Sequence, residues 1–102
     1  MTYIHVVYQV APSFEPPSQA LASSRHDEEL LSPLIGLALP IVAQGPMGLD
    51  GTTYSLKISV GLTNVTLRWW EEIPAEWQSL SPIVEALSLR LQPAPYAPGE
   101  YF

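Results

Sequence analysis

An α+β fold is predicted, in the order β-α-β-β-α, with an antiparallel sheet and two helices packed on one of its faces. Three observations predict it. Residues 53–60 and 65–70 alternate apolar and polar side chains on either side of a short turn, as a hairpin with one buried face requires. Residues 2–10 alternate too, and are rich in β-branched and aromatic side chains. Residues 31–35 and 80–84 both read Leu-Ser-Pro followed by two aliphatics, which suits two helix starts.

Along the chain, Ile4, Val6, Tyr8 and Val10 share one face of the first strand, and Tyr3, His5, Val7 and Gln9 the other. Both faces are largely apolar, so this strand is expected to be central or covered on both sides. Residues 11–24 hold three prolines and no convincing period, and read as an extended loop crossing the surface. The densest charge cluster, 25–29, follows. The first helix is expected near 33–39. Ser32 fits its N-cap, accepting from an otherwise unpaired backbone N–H, and Pro33 fits N1, where its missing donor costs nothing. Gly36 weakens this helix, Pro40 stops it, and Glu28 and Glu29 would extend it by a turn at its start.

Residues 44–51 form a turn-rich loop. Tyr54, Leu56, Ile58 and Val60 then point inward, with Thr53, Ser55, Lys57 and Ser59 outward. After a turn at 61–64, Val65, Leu67 and Trp69 oppose Thr66, Arg68 and Trp70. The second helix, 82–91, carries Ile83, Val84, Leu87 and Leu91 on one stripe. Residues 1–91 make one domain, and 92–102 a proline-rich tail expected to be extended and docked.

With 102 residues, 47% of them hydrophobic and 14% charged, the chain suits a packed core rather than disorder. Ten acidic and four basic side chains leave a net charge of −6. Nucleic-acid binding is driven by Lys and Arg displacing counterions, and Arg25, Lys57, Arg68 and Arg90 are scattered, so nucleic acid is not expected as a partner. An acidic surface favours steering toward a basic protein. The absence of cysteine removes disulfides, zinc–thiolate sites, iron–sulfur clusters and thiol nucleophiles, and suits a reducing cytosol. The N-terminus lacks the features of a signal peptide. The longest apolar run, 33–43, is broken by Gly36 and Pro40 and is too short to span a bilayer. A cytoplasmic protein with no membrane partner is expected.

No catalytic, cofactor or metal residue is assigned. His5 and His26 are the only imidazoles, and neither has the spacing of a helical two-histidine metal site. The run 25–29 imitates a metal cluster, but adjacent residues do not converge; it reads as a solvated turn at a helix start. Glu71, Glu72 and Glu76 sit at a strand exit, whereas paired acid–base catalysis needs carboxyls facing each other across a substrate. No nucleophile elbow, phosphate-binding P-loop or dinucleotide turn occurs.

The tryptophans carry more information. Trp69 and Trp70 are neighbours on a strand and must point to opposite faces. Trp77, after Pro74, would fold back to cover the outer one, clasping the loop to the sheet. The functional reading of the same four residues, Trp69, Trp70, Pro74 and Trp77, is an aromatic patch for a protein partner.

The stretch 48–56, then 65–70 with its Trp69-Trp70 pair, Pro74, Trp77 and Leu80, resembles a pattern in small uncharacterised bacterial proteins. In these a Leu-Asp-Gly-Thr-x-Tyr strand entry leads to a strand ending in Trp-Trp, then Pro-x-x-Trp and a final helix. The resemblance covers about residues 46–91. It implies a bacterial source and a shared α+β scaffold, and transfers no catalytic residue. Some small acidic proteins of this build act as immunity partners of basic toxins, an analogy alone. The expected function is therefore a non-enzymatic protein-interaction domain. A homodimer that completes the sheet is one expected assembly. The alternative is a small enzyme or ligand carrier using Asp50, His26 or Glu72 in a pocket.

Overall fold

The computed structural model describes residues 3–40 and 51–93. Strands β1 (Ile4–Pro12), β2 (Ser18–Ser23), β3 (Thr52–Val60), β4 (Thr63–Trp70) and β5 (Gln92–Pro93) form one sheet in the order β4-β3-β1-β2-β5. Every neighbouring pair is antiparallel. Two short helices, α1 (Glu28–Leu31) and α2 (Ser81–Ser88), supply Leu31, Ile83 and Leu87 to the core on one face of this sheet. The α+β class and the antiparallel sheet are as expected.

The order β-α-β-β-α needs correction, because the described residues form five strands. The run 11–24, expected as a loop, contains β2, paired to β1 with Tyr8 opposite Ala20 and Val6 opposite Ala22. Its alternation is inverted in size: the small Ala20 and Ala22 face the core, while Leu21 is half exposed. Alanine there lets α2 lie close to the sheet, a packing reason that β-propensity does not register. Residues 92–93, assigned to the tail, pair with Ser18 and Gln19. The remainder of the tail lies outside the described residues.

Both helices start earlier than expected. The first was expected near 33–39, but α1 is the single turn over Glu28 and Glu29, and Ser32–Leu34 follow as a 3-10 turn. Ser32 accordingly caps nothing; its hydroxyl donates back to the Glu29 carbonyl at 3.2 Å. Gly36 ends the segment with φ 77°, and Pro40 disfavours helix in the residue before it. Ahead of α2, a 3-10 segment Ala75–Leu80 runs directly into the helix, so Ser81 lies inside it. Leu91 lies beyond the helix end at Ser88.

The registers stack the core face in rows. Val6 lies between Ala22 and Ile58, and Ile58 faces Val65; Tyr8 lies between Ala20 and Leu56, and Leu56 faces Leu67. Tyr8, Tyr54 and Trp69 stack in series, with ring centroids 6.4 and 5.9 Å apart and planes within 12°. Leu31, Leu56, Leu80 and Leu87 are fully buried, each contributing about 1.5–3 kcal/mol. The other face is mostly polar. At its centre Ser55 and Gln9 are buried beside each other, the Ser55 hydroxyl donating to Gln9 Oε1 at 3.4 Å.

Candidate functional site

The hairpin that places the site begins with Gly61. Its φ of 59° is what the first position of a two-residue II′ turn needs, and Val60 and Thr63 close the turn as a pair. From there β4 runs along β3 as the last strand on its side of the sheet among the described residues. Its core face presents Val65 and Leu67, with Val65 45% exposed.

Opposite lies the stretch from the end of the 3-10 turn onward, 34–40. Glycine and proline keep it from continuing as a helix, so after a turn in which the Leu37 amide donates to the Leu34 carbonyl it forms a wall of the cleft. Trp77 tethers this wall: its indole Nε1–H donates to the Pro40 carbonyl at 2.9 Å. Between the wall and the floor of Ile58, Val60, Val65 and Leu67 lies a cleft of about 580 Å³, with Leu80 at its base. Among the described residues that line it, Thr66 alone has a polar side chain. The Thr66 side chain belongs to the opposite face of the sheet, by alternation with Val65. Thr66 borders the cleft between Val65 and Leu67, so the floor follows β4 along its length.

The residues expected to form an aromatic patch are placed differently from one another. Trp69, Pro74 and Trp77 are buried; Trp69 and Trp77 belong to the same core cluster. Trp70 is half-buried on the other face, whereas Trp77 belongs to the core cluster. The backbone of Gly51 comes close to the Trp70 indole, 2.8 Å separating Nε1 from where a β-carbon would stand. Trp69, Pro74 and Trp77 are therefore part of the packed fold, and the apolar surface that is open lies at Val65 and Leu67. Sequence reasoning missed it because its wall and floor are drawn from stretches far apart in the chain. Alternating Val65 and Leu67 at the sheet edge was the available signal.

His5 is half-buried in β1 and His26 is exposed in the turn before α1. His26 borders a shallow concavity with Asp27, Glu28 and Glu29, but among the described residues no group of three His, Asp or Glu side chains is placed to hold a metal ion. Asp27 is occupied structurally: its carboxylate accepts from Arg90 Nη1 at 2.7 Å and from the Ser23 amide at 3.2 Å. The Arg90 hydrogen bond holds the Asp27 carboxyl below its usual range; burial opposes it, and the Ser23 amide adds to the lowering. Burial pushes the Tyr8 hydroxyl up, partly offset by the hydrogen bond with Ser88. Glu71 takes φ 63°, and its carboxylate accepts from the Thr52 amide while its own amide donates to the Thr52 carbonyl, pinning the exit of β4. Glu72 is exposed, and Asp50 lies outside the described residues. No helix among the described residues is long and apolar enough to cross a membrane. Comparison with protein-family models, with curated proteins and with solved structures finds no match.

Proposed function

We propose that this chain is a non-enzymatic interaction domain that receives an extended segment of a protein along β4. One observation carries the reading: the strand that ends the sheet also lines the apolar cleft, through Val65, Thr66 and Leu67. An edge strand offers main-chain donors and acceptors, and an adjoining apolar trough accepts alternate side chains of whatever pairs with it. The net charge of −6 steers basic proteins toward the domain, in keeping with an immunity-like role in the cytoplasm of a bacterium. Self-association through the same edge is a special case of this activity.

The test replaces Thr66 by Pro and, separately, Val65 by Glu. Proline removes an edge donor at little cost to an edge strand, and glutamate places charge in the cleft. Affinity capture from the native lysate is expected to lose its partner with both variants while their thermal unfolding stays near wild type. Equal capture by wild type and both variants, or no specific capture at all, overturns the proposal.

The cleft also has the volume of a small-molecule site, which supports a second reading as a carrier of an uncharged apolar ligand. That reading predicts an extractable small molecule in the purified protein, retained by Thr66→Pro and lost on filling the cleft with Val65→Trp.

A further inference from the structure

We infer that the partner fitted by this edge is a second copy of the chain, its β4 running antiparallel to the first about a two-fold axis at Val65. The inference rests on the reading of β4 as a docking edge.

Which main-chain groups point outward follows from the ladder. In a two-residue hairpin the closing pair, Val60 and Thr63, exchanges hydrogen bonds, and such pairs alternate with non-bonded ones. The Glu71 amide donating to the Thr52 carbonyl at the far end agrees with that phase. Thr63, Val65 and Leu67 thus bond toward β3, and Asn64 and Thr66 present their N–H and C=O to the outer edge. Among the described residues no strand pairs with that edge.

The stretch Thr63-Asn64-Val65-Thr66-Leu67 is self-complementary when reversed. About an axis at Val65, Asn64 meets Thr66 of the second copy and Thr66 meets its Asn64, giving four main-chain hydrogen bonds. The two Val65 side chains then face each other at a non-bonded position, where α-carbons come within about 4.5 Å and β-branched side chains pack well. Each Thr63 lies across from a Leu67. Asn64 and Thr66 thus meet on the polar face and the two Val65 side chains on the core face, each contact repeated by the two-fold as an isologous interface demands.

Local charge does not oppose this register. The chain carries −6, yet residues 63–67 hold no charged side chain, so no like charges meet across the strands. Glu71 and Glu72 lie past the paired stretch, beyond the partner's turn. Pairing also brings Val65 and Leu67 of the second copy alongside the β4 residues that floor the cleft.

The experiment is sedimentation equilibrium with wild type, Val65→Lys, Val65→Glu and an equimolar mixture of the two variants, each checked for folding by near-ultraviolet circular dichroism. Wild type is expected at twice the 11.2 kDa chain mass. Each variant alone sets like charges against each other at the axis, and its dimer should weaken by about tenfold or more. The mixture sets lysine against glutamate and should restore the dimer. A wild-type mass of one chain, or a folded mixture no more dimeric than its components, overturns the inference. If wild type is monomeric while Thr66→Pro still abolishes capture of a different protein, the second copy is wrong and the docking edge stands. If neither self-association nor capture depends on Thr66, both readings fall.

Discussion

Gly51 shows how much a single backbone position holds at the entry to β3. It takes φ 120°, a conformation that L side chains rarely adopt, and a β-carbon there would run into Glu71 Oε1 and stand 2.8 Å from Trp70 Nε1. Gly36 also has a positive φ, 77°, but nothing lies within 4 Å of its would-be β-carbon. Gly51→Ala is therefore expected to destabilise by about 2–4 kcal/mol, combining backbone strain with a clash, and Gly36→Ala by about 1 kcal/mol from strain alone. Urea unfolding of the two variants checks the ordering; equal losses would mean that the contact with Glu71 and Trp70 relaxes without cost. A second residue-scale expectation concerns Trp77→Phe. The ring volume is largely kept, but the donor to the Pro40 carbonyl is gone, so about 0.5–1.5 kcal/mol should be lost. The need for glycine before Thr52 was legible in the sequence as part of a turn-rich stretch. That the glycine lies against Trp70 was not, because the two are brought together by the hairpin.

Among the elements, the turn before α1 and the end of α2 are linked through a carboxylate whose pKa is depressed. Asp27 joins them by accepting from the Ser23 amide and from Arg90. Its folded pKa is depressed, so the stabilisation is present in full above the unfolded value of about 3.9 and is lost as pH falls through the folded value. Arg90 is 44% exposed, and water and salt screen the pair, which limits it to about 0.2–1 kcal/mol. Unfolding free energy measured from pH 6 downward should fall in acid, and Asp27→Asn should remove part of that fall; an unchanged slope would show that other carboxylates carry it. The three strands with period-two alternation, β1, β3 and β4, were legible because hydrophobicity marks their buried faces. β2 was not, since alanines face inward beneath α2 and Leu21 faces out. Helix starts were misplaced for a related reason. Ser32 and Ser81 have the chemistry of caps, but Asp27 opens the first helix, with its side chain spent on Ser23 and Arg90, and a 3-10 segment feeds the second.

At the scale of the whole molecule, the site depends on strand order rather than on any motif. Because β2 and β5 extend the sheet beyond β1, β4 is left as the other end. The order of strands is a long-range property, invisible to local periodicity, so the edge was unreadable while β2 passed for a loop. Exposure of that edge makes a prediction about amide exchange. The Val65 and Leu67 amides bond to β3 and should exchange slowly, whereas those of Asn64 and Thr66 point outward and should exchange rapidly in dilute solution. Pairing of two copies adds donors and acceptors to the outward set alone. Raising the protein concentration should therefore slow Asn64 and Thr66 while leaving Val65 and Leu67 unchanged, read by nuclear magnetic resonance one residue at a time. Rapid exchange at every concentration would leave an open edge with no second copy on it. Slow exchange of all four residues in dilute solution would mean that the edge is closed within one chain, and the docking function would fail with it.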